Sequence, residues 1–182
     1  MITFTFVPIN QPYTIKIMKK SLLLFVIVAG AALSASAQSS SSESGKFSIG
    51  LEAGLPIGDI KDAGGKLFIG GSLKYDQPIA TGTFFTISAG YTSLSFKDTY
   101  GGGSTGFVPV KAGIKYFLAE SFYGEAQLGA AFSTESGGGT AFAYAPGIGY
   151  SFGGGLDLGV RYEAWSKNGT ISQVAARLAY SF

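Results

Sequence analysis

Arg161 and Glu163 stand two residues apart in the stretch RYEAW, a spacing that places both side chains on one face of a β-strand. A base and an acid so placed could exchange protons with a substrate. They could equally hold each other as a structural ion pair, and the rest of the chain favours that reading. There is no histidine and no cysteine, which removes the commonest general base, the thiolate nucleophile and any disulfide frame. GGGSTG, Gly101 to Gly106, satisfies G-x-G-x-x-G, but the dinucleotide fingerprint must open a helix, and here a strand-like run follows. GGSTG, Gly102 to Gly106, satisfies G-x-S-x-G, but a nucleophile elbow also opens a helix and its triad needs a histidine. Both read as glycine-rich loops. Asn168-Gly169-Thr170 fits a glycosylation sequon and reads as turn chemistry. No catalytic residue, cofactor or metal site is expected.

What remains is a set of charges with a shared setting: Glu52, Lys74, Lys111, Lys115, Glu125, Asp157, Arg161, Glu163 and Arg177. Each lies in a run where apolar residues alternate with polar or very small ones. VKAGIKYF shows the pattern, with Val110, Ala112, Ile114 and Tyr116 on one face and Lys111, Gly113 and Lys115 on the other.

Eight such segments follow one another: Phe47 to Leu55, Leu67 to Tyr75, Phe85 to Ser93, Val108 to Tyr116, Phe122 to Phe132, Phe142 to Phe152, Leu156 to Ala164 and Val174 to Phe182. PIGDIKDAGGK, KDTYGGGSTG, STESGGGT and SKNGT break them with turn residues; between these lie DQPIATGT, LAES and GG, of which the last two are very short. Longer and shorter connections alternate, as when strands run up and down between two compartments. No helical run is expected outside the N-terminal segment.

The polar face is also small, with Gly50, Gly54, Gly70, Gly90, Gly113, Gly129, Gly147, Gly149 and Gly159 among the charges. Glycine inside a strand costs about 0.5–1 kcal/mol relative to alanine, so a water-facing surface would not favour it. The inside of a narrow eight-stranded barrel would, because bulky side chains there must alternate with very small ones. The apolar face carries aromatics near strand ends and Ala, Leu, Ile and Val between, the pattern of a membrane-spanning barrel with two aromatic girdles. A tilted strand crosses a bilayer in about 9–11 residues, which the segments match. A lysine turned to lipid near mid-membrane would cost about 2–4 kcal/mol. The expected fold is therefore an all-β, eight-stranded, up-and-down antiparallel transmembrane β-barrel, with the nine charges as an interior network and Glu52 paired with Arg177 across the closing seam. The alternative, a soluble ligand carrier with its apolar face inside, leaves the glycine-rich polar face in water without reason.

MKKSLLLFVIVAGAALSASAQ, Met18 to Gln38, reads as an export signal: Lys19 and Lys20, an apolar stretch from Leu22 to Leu33, then Ala35-Ser36-Ala37. Its twelve apolar residues fall short of the roughly 20 that span a bilayer. Residues 1–37 are read as the signal peptide, with the true start expected at Met18, 38–45 as a polar leader and 46–182 as the barrel. The formal net charge of +2 belongs to that signal. Removing Lys16, Lys19 and Lys20, with no acid among residues 1–37, leaves ten bases against eleven acids, so no nucleic-acid partner is implied.

The signal end ASAQ together with FVPVKAGIKYF, APGIGYSF and the closing RLAYSF resembles the small eight-stranded outer-membrane β-barrel family of the outer-membrane protein A and X type, in the form found in Bacteroidota. The resemblance covers Gly45 to Phe182. It implies a monomeric protein of the Gram-negative cell envelope, resident in outer-membrane lipid with both termini on the periplasmic side. It implies that Tyr180 and Phe182 form the C-terminal signal read by the barrel-assembly machinery. The role it implies is non-enzymatic and structural; the alternatives are a surface adhesin or ligand-binding barrel acting through its loops, or a narrow pore. Outer-membrane barrel enzymes of the lipid A-modifying and protease types use histidine, which this chain lacks.

Overall fold

The structure, a computed structural model, describes residues 44–182. The signal peptide and residues 38–43 of the leader lie outside the described residues. Eight strands, β1 (Lys46–Ile57), β2 (Gly65–Ala80), β3 (Thr83–Phe96), β4 (Ser104–Phe117), β5 (Phe122–Ser133), β6 (Thr140–Ser151), β7 (Leu156–Ser166) and β8 (Thr170–Ser181), pair in sequence order into a closed barrel. Every pairing is antiparallel, and β1 meets β8 with Glu52 opposite Arg177. Closure leaves no edge strand, so all eight satisfy their backbone groups from two neighbours. Among the described residues no helix is long and apolar enough to cross a membrane.

Three details depart from the sequence expectation. DQPIATGT is not a loop: β2 continues to Ala80 and β3 starts at Thr83, leaving only Thr81-Gly82 between them. Pro78 is accommodated at a register irregularity between Pro78 and Ala80, where a residue without an N–H can sit in a strand. β4 begins at Ser104, inside the glycine-rich stretch, because Ser104 pairs with Ser95. A four-residue helix, α1 (Asp59–Asp62), occupies the β1–β2 connection. It is too short to show any helical periodicity in the sequence.

The connections 58–64, 97–103, 134–139 and 167–169 gather at one end, here the loop end. Those at 81–82, 118–121 and 152–155 share the opposite end with Lys46 and Ser181, here the terminal end.

Burial inverts the order of a soluble sheet. Leu51 is 76% exposed and Leu128 59%, whereas Lys74, Lys111 and Lys115 are each 5% exposed. The apolar face points outward all the way round, and the charges point inward. That excludes the ligand carrier with an apolar interior. Aromatic side chains cluster outside near both ends: Phe47 against Tyr75 (4.6 Å between ring centroids) and Tyr150 against Phe152 (4.8 Å) at the terminal end, Tyr144 between Phe142 and Tyr162 toward the other.

Inside, small faces large. A Cβ on Gly50 would sit 2.8 Å from the Arg177 guanidinium, and one on Gly149 would strike the Tyr123 ring. These glycines are needed for the width of the lumen rather than for an unusual backbone.

Candidate functional site: the barrel interior and its mouth

Strand parity delivers all nine expected charges to the lumen, and the register sorts them into two groups. The first lies at mid-height. Lys111 Nζ donates to Glu163 Oε1 (2.7 Å), Arg161 Nε to Glu163 Oε2 (2.6 Å) and Arg161 Nη2 to Glu52 Oε2 (2.6 Å). Arg177 Nε approaches Glu52 Oε1 at 3.5 Å, and Ser72 joins the two by accepting from Arg177 Nε (2.9 Å) and donating to Glu52 (2.5 Å). The order Lys111, Glu163, Arg161, Glu52, Arg177 alternates in sign and sums to +1.

The second group lies nearer the terminal end. Lys74 reaches Glu125 (3.1 Å) and Asp76 (3.6 Å), while Lys115 reaches Asp76 (3.3 Å) and Asp157 (3.4 Å). The order Glu125, Lys74, Asp76, Lys115, Asp157 also alternates and sums to −1. Tyr123 donates to Asp157 Oδ1 (2.7 Å), and its ring lies beneath the Lys115 ammonium at 4.0 Å. The two groups cancel, as a low-dielectric enclosure requires.

Asp76 is the member that the sequence expectation omitted. Pro78 made its surroundings read as a turn, although Asp76 keeps the parity of Lys74. A cavity of about 30 Å³ separates the groups, lined in part by Tyr123, Glu125, Asp157, Arg161 and Arg177. It has room for one or two water molecules. Arg177 Nη1 is buried there without a hydrogen-bond partner among the described residues.

The loop-end third of the lumen is apolar, which the expectation of a uniformly polar interior missed. Phe68, Leu94, Phe107, Ala131, Ala143 and Trp165 form a buried cluster, with Trp165 5.7 Å from Phe68 and 4.7 Å from Phe107 between ring centroids. The available signal was parity: Phe68, Phe107 and Trp165 fall on the polar face of their strands. Trp165 Nε1 donates to Glu163 Oε1 (2.9 Å), tying this plug to the mid-height ion chain.

Most polar atoms of the interior are engaged; buried Asp76 Oδ1 and Arg177 Nη1 have no hydrogen-bond partner among the described residues. Glu163 accepts from Lys111, Arg161 and Trp165, so both of its oxygens are engaged. Tyr180 and Phe182 lie outside the lumen, 54% and 73% exposed. The Phe182 N–H closes on the Phe47 carbonyl (2.9 Å). Gly101 to Gly106 and Asn168-Gly169 fall in loop-end connections or at the start of β4, with no helix following.

Above the plug the mouth opens as a cup of about 410 Å³. Ile60 and Ala63 of the β1–β2 connection, Ala141 and Ile171 form its walls, and Phe107 and Trp165 its deepest edge. Asp59 and Lys167 are its charged rim.

The sequence matches no family model and no curated protein. Solved structures share the fold. The outer-membrane protein Ail of Yersinia pestis, in a phospholipid nanodisc, superposes with a TM-score of 0.56 at 20% identity over 76% of this chain and all of that one. The outer-membrane enzyme PagL gives a TM-score of 0.57 at 18% identity, over 73% of this chain and 98% of that one. A de novo designed transmembrane β-barrel gives 0.52 at 15% identity, over 79% of this chain and all of that one. An enzyme and a designed barrel on one fold mean that architecture alone assigns no activity here.

Proposed function

We propose that this chain is a monomeric integral outer-membrane protein, delivered by a cleaved export signal, that serves a non-enzymatic, structural role in the cell envelope. The observation that carries the reading is the inverted burial. An eight-stranded wall with leucines exposed and lysines buried is stable in lipid, and in water it would expose an apolar band far beyond the few hundred Å² normal for a soluble monomer. The two ion chains and the aromatic plug support a filled interior over a pore. The lack of histidine and the fully engaged Glu163 support a non-enzymatic role. Tyr180 and Phe182, outward at the end of β8, are the residues proposed to dock on the assembly machinery.

Expression in a Gram-negative host tests this. The protein should sediment with the outer membrane, migrate faster on gels when unboiled than when boiled, and begin at Gln38 by N-terminal sequencing. Recovery from the soluble fraction, or a chain that retains Leu22 to Leu33, would overturn the reading.

A further inference from the structure

From the geometry of the mouth we infer that the loop-end cup binds small amphiphiles with an apolar body and one anionic head, such as medium-chain monocarboxylates. The inference goes beyond the envelope role and depends only on the folded barrel. Three observations carry it.

First, the size and lining suit such a body. A volume of about 410 Å³ lies within the roughly 300–1,000 Å³ of small-molecule sites, which are mostly apolar with a few placed polar groups. The apolar walls stand on the buried cluster, so the floor is rigid. Trp165 offers no free N–H, because that donor is engaged by Glu163.

Second, a cation stands at the rim. Lys167 Nζ donates to the Gly138 carbonyl across the gap between two connections (3.0 Å). Nζ lies close against Gly139, whose φ of +74° favours glycine. One N–H is used, which leaves two of the three ammonium donors for an anion.

Third, the rim limits the charge of the guest. Asp59 stands on the same cup and forms no ion pair among the described residues. Its carboxylate disfavours a second negative group, so the site discriminates against dicarboxylates.

The chain's single tryptophan is Trp165, so its fluorescence reports on the cup alone. The protein is refolded into phospholipid nanodiscs and titrated with 8-bromooctanoate, whose bromine quenches tryptophan on contact. Quenching should saturate and be reversed by octanoate. It should be weaker with 8-bromooctanol at equal aqueous concentration. Lys167→Met should weaken carboxylate binding about two- to fivefold and leave the alcohol unchanged; Asp59→Asn should tighten it about twofold, as expected for exposed charge pairs. Ala141→Phe, which fills the cup, should abolish saturable quenching while the boiled and unboiled gel mobilities stay those of the wild type. If that variant fails to fold, Ile171→Phe replaces it, and displacement by octanoate from the unaltered protein tests the same site without any substitution. Non-saturable quenching that octanoate does not reverse would reduce the effect to partition into lipid and overturn the site. Saturable quenching equal for acid and alcohol, and indifferent to Lys167, would overturn the anion selectivity that defines the proposal.

Discussion

At the terminal end of the lumen, Lys115 touches Asp76, Asp157 and the ring of Tyr123; at the loop end, Trp165 touches Phe68 and Phe107. Both regions fill the same narrow bore, but by different physics. The charged region must match its own donors and acceptors, because each unpaired ion there carries a desolvation penalty of several kcal/mol. It therefore specifies partners atom by atom. The aromatic region needs only volume and shape, and excludes water without any directional bond. The charged region ties strands together across the bore, while the apolar one fills its loop end. Glu163 is where they meet, since it takes a hydrogen bond from each side.

That contrast can be broken at several points. The largest effect is expected at Glu163. Glu163→Ala leaves Lys111 and Arg161 without their shared carboxylate, and loss of one partner from a buried ion network costs about 3–5 kcal/mol. Urea unfolding from lipid vesicles measures it; a loss under about 1 kcal/mol, the range of an exposed pair, would mean that the chain is relaxed by water. Trp165→Phe keeps one aromatic ring in the plug but removes the N–H to Glu163 together with part of the indole volume, so about 1–3 kcal/mol should be lost for the unpaired Glu163 oxygen, and more where the gap does not close. A cost no greater than that of an exposed aromatic substitution would show that the two regions are independent. Smaller still is the seam. A double-mutant cycle on Glu52→Ala and Arg177→Ala should give a coupling of about 1 kcal/mol, above the roughly 0.3–0.5 kcal/mol within which independent sites add. Ser72 keeps it modest, because it bonds both residues and survives either change. The smallest effect is on conduction. In planar bilayers the wild type should be silent, and the double variant should show at most brief, small events, because Lys111, Glu163, Arg161 and the aromatic plug still fill the bore. Steady porin-sized steps from either protein would refute the filled interior.

Parity made much of this legible in the sequence. Alternation gave nine charged residues their face, and equal distances from Phe47 and Phe182 pointed to Glu52 and Arg177 as neighbours across the seam. Other features were hidden for definable reasons. Asp76 was obscured by Pro78, which reads as a turn until a bulge absorbs it. The plug was obscured because Phe68, Phe107 and Trp165 sit on a face that is elsewhere polar. The link from Lys111 to Glu163 spans from β4 to β7, and alternation gives a residue's face but not its height, which the stagger of the closed sheet sets. The cup was hidden because its floor belongs to strands while its loops carry no large apolar cluster.

Most of the ion pairs are chords. Lys111–Glu163 and Lys115–Asp157 join β4 to β7, Lys74–Glu125 joins β2 to β5, and Glu52–Arg161 joins β1 to β7. A chord between strands that are not neighbours has no partner while the sheet is open and comes into being only when the sheet has curled. Until then its charges must stay hydrated, even as the apolar face beside them enters the bilayer. These contacts therefore form on the native side of the closure barrier, where an interaction slows unfolding and leaves the folding rate nearly unchanged. The lumen of this barrel is in that sense a latch: it contributes little to how fast the wall assembles and much to how long it stays shut.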